Sequence, residues 1–215
     1  MAVITISRQW GSFGDDVAHM LCDKLGYQYF DKKMMTQVGH EMGLSAGIVD
    51  RAADYQPHAK KLLERWFENY GDPMAGESVS WRFGATDDAR QGLTVANLMD
   101  IINAGYKKGN VVIVGRGGMA ALQNKPDVLH VRIQAPLELR IKRLQQQYGW
   151  TAEETRKKVK ERDLSDVEWI KRYFGLDSHD PQLFDLIINT TKTGQEAAVD
   201  LIVQALNALQ AKAKK

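Results

Sequence analysis

Val3-Ile4-Thr5-Ile6-Ser7-Arg8-Gln9-Trp10-Gly11-Ser12-Phe13-Gly14-Asp15-Asp16 is the stretch that decides the fold of this chain. Val3 to Ile6 are β-branched without interruption, the pattern of a strand buried on both faces. Beyond Asp16 the period changes: Val17, Met20, Leu21 and Leu25 recur at helical spacing, and Gly26 closes the helix. A strand that turns into a helix brings the helix's unpaired N–H groups and partial positive charge to the turn. Glycines at 11 and 14 let the backbone curl round an anion. Gly11, Ser12, Phe13, Gly14, Asp15 and Asp16 therefore form a candidate phosphate cradle.

The cradle departs from the signature G-x-x-x-x-G-K-[ST], in which Lys meets the β- and γ-phosphates and a hydroxyl meets magnesium. Arg8 stands at the first glycine and Gly14 at the lysine, while Asp15 adds negative charge. Two readings stay open. Arg8 supplies the missing cation from the other side of the loop, or the segment is an ordinary strand-to-helix turn in which Asp15 and Asp16 complement the helix dipole.

Further strands are expected at Val111–Val114, Val128–Ile133 and Phe184–Asn189, with a weaker one at Tyr27–Phe30. Helical periods fall between them: Val95 to Tyr106, Leu137 to Leu144 after Pro136, a charged helix opened by the capping box Thr151…Glu154, and a last helix from Gln195 to about Ala211. This alternation gives an α/β fold with an open parallel sheet, whose C-terminal strand edge is where ligands bind. Gly115-Arg116-Gly117-Gly118 follows a buried strand at that edge, so Arg116 is placed for a phosphate or sugar, or else is structural. Residues from about 32 to 92 break the rhythm, with a flexible joint expected over 71–78.

The 215 residues carry 44% hydrophobic and 26% charged residues, enough for one domain with a sizeable core. A formal net charge of +2 gives no global field for nucleic acid or membrane. The stretch before Arg8 is too short for a signal peptide, and no apolar run approaches the ~18 residues of a membrane span. The lone Cys22 permits no intrachain disulfide and sits in an apolar helical pattern, so packing in a reducing, cytoplasmic setting is expected. His19, His40, His58, His130 and His179 lack metal-ligand spacing with cysteine, and no side chain is assigned as a metal ligand. Trp66, Phe67 and Tyr70, at helical spacing, would pack the insertion or a homodimer interface.

The stretches 4–14, 25–31, 112–117, 129–136, 173–177 and 180–190 occur in order along nearly the whole chain. Taken together they resemble the cytidylate kinase-like proteins, a divergent branch of the nucleoside monophosphate kinases within the P-loop superfamily. The resemblance implies a five-stranded parallel sheet flanked by helices, with core 1–31 and 93–215, a helical acceptor-binding insertion over about 32–92 and a lid over about 146–177. It implies transfer of the ATP γ-phosphate, with Mg2+, to a nucleoside monophosphate such as CMP or dCMP. By position, Arg116 matches the arginine of a Gly-Arg-Asp motif whose aspartate is Gly117 here, and Arg162-Asp163 matches the Arg-Asp that starts the lid. Relatives carry glycine at Phe13 and arginine at Asp15, and further lid arginines where this chain has Leu164, Ser165, Asp166 and Val167.

In the resulting scheme Arg8, Arg162, Lys171 and Arg172 are the catalytic cations, closing on the γ-phosphate held by Gly11 to Asp16. Asp31, Gly115 and Arg116 face the acceptor, and Asp31 has the alternative role of helix N-cap. Phosphoryl transfer works by positioning and charge neutralisation, so the missing turn and lid cations give two alternatives their weight. One is a catalytically impaired nucleotide- or phosphate-binding regulatory protein; the other is a kinase for a different small-molecule acceptor.

Overall fold

A computed structural model describes residues 2–31, 34–35 and 95–213. The expected insertion, its joint and its aromatic residues lie outside the described residues, apart from Met34 and Met35. The strands are β1 (Val3–Arg8), β2 (Gln28–Phe30), β3 (Val111–Val114), β4 (Val128–Gln134) and β5 (Leu186–Asn189). The helices are α1 (Gly14–Leu25), α2 (Val95–Lys108), the short α3 (Gly118–Ala121), α4 (Leu137–Tyr148), α5 (Ala152–Phe174) and α6 (Thr190–Ala213). All strand pairs are parallel, in the order β2-β3-β1-β4-β5. β1 is central, with β3 on one side and β4 on the other, so the loop leaving it emerges where the sheet's winding reverses.

Both faces of the sheet are covered, which is why the strands read as unbroken apolar runs. Ile4, Ile6, Val112 and Val131 pack on α1 and α6 through Val17, Leu21 and Ile202. Val3, Val111 and Ile113 pack on the other face against Ile101, Leu122 and Trp169. Burial of each such aliphatic side chain stabilises the fold by about 1.5–3 kcal/mol. Cys22 is buried in the first of these layers, and burial pushes its thiol up to about 12, consistent with packing rather than chemistry.

Local signals place several element ends. Thr151 and Glu154 form the reciprocal capping box at the start of α5. Ion pairs of α5 run from Arg156 to Glu138 and from Asp163 to Arg140, both on α4, and from Arg162 to Asp166 within the helix. β5 begins two residues later than its apolar run because Asp185 is used differently. Its N–H donates to the His130 carbonyl and its carboxylate accepts the His130 N–H, both at 2.8 Å. α6 is broken at Gly194 (φ 71°, ψ −168°), so the long amphipathic run from Gln195 follows a separate first turn.

His130 lies within the sheet, on β4. His130 Nδ1 and Thr5 Oγ1 are 2.7 Å apart. Burial holds the His130 pKa below its ordinary value against the opposing pull of Asp185. The unfolded chain therefore binds the proton more readily. The stability His130 contributes as a neutral group is complete above about pH 6.5 and is lost as pH falls toward its folded pKa. Each tenfold difference in proton affinity between the folded and unfolded chain is worth ~1.4 kcal/mol. Urea unfolding at pH 7.5 and 5 is expected to show that His130→Leu costs less stability at the lower pH. An equal cost at both would remove His130 from the acid response.

Candidate functional site

The loop from Arg8 to Asp16 lies at the C-terminal end of β1 and forms one wall of a cleft of about 400 Å³. The first turn of α1 faces it through Gly14, Asp15 and Asp16, whose N–H groups have no acceptor within the helix by position. Ser12 is placed differently from its expected role. It is fully buried, its N–H donates to the Gln9 carbonyl at 3.1 Å, and its hydroxyl donates to the Ile133 carbonyl at 3.2 Å. Ser12 thus fastens the loop to β4 and offers the cleft neither donor.

Phe13 is the N-cap of α1 and adopts a left-handed backbone, φ 66° and ψ 18°, which costs a residue bearing a Cβ about 1–2 kcal/mol. Its ring lies beneath the Arg143 guanidinium, 3.8 Å from ring centroid to Cζ, a cation–π contact that offsets about 0.5–1 kcal/mol of that cost. Phe13 is therefore a partner of a cleft cation. Arg143 also donates to the Gly11 carbonyl at 3.2 Å and to the hydroxyl and carbonyl of Thr190 at 3.1 and 3.0 Å. Thr190 donates onward to the Ser12 carbonyl at 2.8 Å, closing a ring of bonds around the loop. Burial lowers the Arg143 pKa, with Asp16 opposing.

Arg8 lies across the loop. A Cβ at Gly14 would overlap its stem, and one at Gly115 would sit 2.5 Å from its guanidinium nitrogen, so these glycines make the space it occupies. Its Nε donates to Asp15 at 2.8 Å. Burial works against its charge, but Asp15 and Asp166 are among the groups that more than offset this, leaving its pKa above the usual arginine value. Arg162 also lines the cleft and pairs with Asp166 one turn along α5, at 3.4 Å. Lys171 and Arg172 are not brought to this group. They are exposed, roughly 13–15 Å further along α5, and outside the residues that line the cleft.

The strongest side-chain anchor was not among the expected site residues. Arg140 is 3% exposed and makes paired bonds to Asp163 at 3.0 and 2.7 Å, with further bonds to the carbonyls of Ala135 and Trp10 at 3.1 and 3.3 Å. It joins the loop, β4 and α5 at one point. The sequence did carry a signal: Arg140 falls on the apolar face of α4 between Leu137 and Ile141 and Leu144, where a charge needs a buried partner. Trp10, Tyr148 and Trp150 form an aromatic wall beside the loop, with Tyr148 and Trp150 stacked at 4.5 Å.

Asp31 caps a helical turn. Its carboxylate accepts the Met34 N–H at 3.1 Å and its carbonyl accepts the Met35 N–H at 2.9 Å. Arg116 follows β3 in a left-handed conformation (φ 51°) between Gly115 and Gly117, half-buried and outside the cleft lining. At Gly117 (φ 68°) a Cβ would lie 2.6 Å from the Phe174 ring and 3.0 Å from Trp169. The aromatic end of α5 thus occupies the space an aspartate would need. Gly117→Asp is expected to destabilise the fold by about 2 kcal/mol, read as a lower urea midpoint. An unchanged midpoint would show that Phe174 yields freely.

Among the described residues no group of three or more metal-binding side chains converges, and no helix is long and apolar enough to cross a membrane. Asp15 and Asp16 do line the cleft, and Asp16 is exposed there. One or two carboxylates beside phosphate oxygens and water are the usual donor set for Mg2+, so these residues fit a nucleotide-bound magnesium rather than an all-protein metal cage.

Residues 3–192 match the cytidylate kinase-like family. A cytidylate kinase of Ignicoccus hospitalis is 35% identical over 96% of this chain and 99% of its own length. Cytidylate kinases of Methanosarcina mazei and Pyrococcus horikoshii are 30% and 33% identical over 48% of this chain, and the match spans only 58% and 53% of their length. An uncharacterised protein from Eubacterium ventriosum shares the fold, with a TM-score of 0.67 at 18% identity over 96% of this chain and 99% of that one. With a match over residues 3–192 and the five-stranded parallel sheet around a loop at β1, this chain belongs to the cytidylate kinase-like family.

Proposed function

We propose that this protein is a nucleotide kinase that transfers the γ-phosphate of ATP to a nucleoside monophosphate, CMP or dCMP. The observation that carries the reading is one cleft in which the N-terminal turn of α1 and the guanidinium groups of Arg8, Arg143 and Arg162 converge, in a chain of this family. The donor phosphates lie along Gly11 to Asp16, with the amides of Gly14, Asp15 and Asp16 as donors. Asp15 and Asp16 are the side chains that would hold magnesium, which when bound supplies charge neutralisation at the phosphates.

The acceptor phosphate oxygen attacks the γ-phosphorus, the bond from that phosphorus to the bridging oxygen breaks, and ADP leaves. Arg8 and Arg162 neutralise charge on the transferring group, Arg143 fixes the loop, and Arg140 fixes α5 against it. Residues 146–177 are the proposed lid, whose movement would bring Lys171 and Arg172 inward. Asp31, Gly115, Arg116 and residues 32–92 are the proposed acceptor side.

A second reading has its own support: Arg8 and Arg162 are each already paired with a carboxylate, as suits a nucleotide-binding regulatory protein without turnover. Calorimetry with ATP, CMP and dCMP in magnesium, beside a coupled ADP-release assay, separates the two. Release of ADP that depends on CMP or dCMP supports the kinase. Binding without ADP release supports the regulator, and absence of binding defeats both.

A further inference from the structure

The charged side chains lining the cleft balance: Arg8, Arg143 and Arg162 face Asp15, Asp16 and Asp166. Each arginine is also occupied. Arg8 bonds Asp15 at 2.8 Å, Arg162 bonds Asp166 at 3.4 Å, and Arg143 is held by Gly11, Thr190 and the Phe13 ring. The Arg8–Asp15 pair is the more enclosed of the two ion pairs, with side-chain exposures of 17% and 37%. A bare phosphate entering this cleft meets carboxylates as well as cations: at Arg8 it either lies beside the Asp15 carboxylate or turns Asp15 out of an established bond.

We infer that Asp15 and Asp166 are specificity-determining residues: by occupying Arg8 and Arg162 they exclude uncomplexed anions, and the cleft accepts a nucleoside triphosphate only together with its divalent cation. The inference rests on the nucleotide reading above and adds a selectivity to it. A metal–nucleotide complex carries about two fewer negative charges than the free nucleotide and brings the cation that a displaced carboxylate requires. Arg8 then exchanges Asp15 for phosphate without leaving a charge unpaired, whereas the free nucleotide would leave Asp15 facing phosphate oxygens across a short distance. The N–H groups of Gly14 to Asp16 serve both forms equally, so discrimination falls to the carboxylates.

The test is calorimetric binding of ATP in magnesium and of ATP with excess chelator, to the wild-type chain and to Asp15→Asn and Asp166→Asn. Asn keeps the size and an oxygen for the arginine while removing the charge. Wild type is expected to bind chelated ATP about 30-fold or more weakly than the magnesium complex. Asp15→Asn is expected to tighten binding of chelated ATP about tenfold and to narrow that ratio, with a smaller shift in the same direction for the more exposed Asp166→Asn. Asp166→Asn, at an exposed position of α5, keeps the test readable should Asp15→Asn fold poorly by thermal melting. Equal wild-type binding of both forms, or a ratio unchanged in the variants, overturns the selectivity and leaves the nucleotide reading standing. Failure to bind ATP in either form overturns the nucleotide reading itself, and this inference with it.

Discussion

Replacing Arg8 with alanine is expected to lower phosphoryl transfer about 10³-fold, the scale seen when a cation on the transferring group is lost. Arg8 is the cation most embedded in the loop. It lies over Gly14 and Gly115, and its Nε is fixed by Asp15. No lysine stands in the turn to replace it. The structural cost is expected to be small, about 1 kcal/mol, because the orphaned Asp15 side chain is 37% exposed and regains water. Arg8→Lys should restore only part of the rate, since an ammonium lacks the planar fork of donors with which a guanidinium meets phosphate oxygens. Steady-state ADP release and thermal melting on the same preparations check both halves. Should the wild type bind nucleotide without turnover, ATP affinity takes the place of rate, with a loss of about 10–100-fold expected. Retention of near-wild-type rate and affinity in Arg8→Ala would remove Arg8 from the site.

The sheet was legible because its signals are local and redundant. Val3–Ile6 and Val111–Val114 are β-branched runs too apolar for anything but a strand covered on both sides, and the helices between them carry their own caps and periods. The position of the candidate site was legible for the same reason, since a strand, a glycine turn and a helix N-terminus are contiguous in sequence. The wiring of the site was not. Ser12 looks like a phosphate ligand in any local reading, yet its partner is Ile133, and that pairing exists only once β1 and β4 lie side by side. Phe13 reads only as a member of the turn where relatives carry glycine, and nothing near it in sequence announces a left-handed backbone under Arg143. Lys171 and Arg172 have the charge the chemistry needs, but nine and ten residues of continuous α-helix separate them from Arg162. Gly117 looks like the loss of a functional aspartate, and the structure supplies a reason in the ring of Phe174.

Arg140→Ala is expected to have the largest effect on stability, about 3–5 kcal/mol, because it removes one partner from a pair whose arginine is almost wholly enclosed. Four acceptor groups lose a donor at once: both Asp163 oxygens and the carbonyls of Ala135 and Trp10. Asp163, at 33% side-chain exposure, recovers part of its hydration, which places the expectation at the lower end of that range. The consequence for function follows from which elements the pair joins. Trp10 precedes the glycine turn, and Asp163 follows Arg162 on α5, so Arg140 sets the distance between the loop and Arg162. Arg140→Met keeps the stem and removes the bonds, separating packing from pairing. In a double-mutant cycle with Asp163→Ala, measured by urea unfolding, a coupling of about 1 kcal/mol or more is expected. Additive losses would instead mean that Arg140 acts through the two carbonyls alone, and that α5 is held to the cradle by its apolar face rather than by this ion pair.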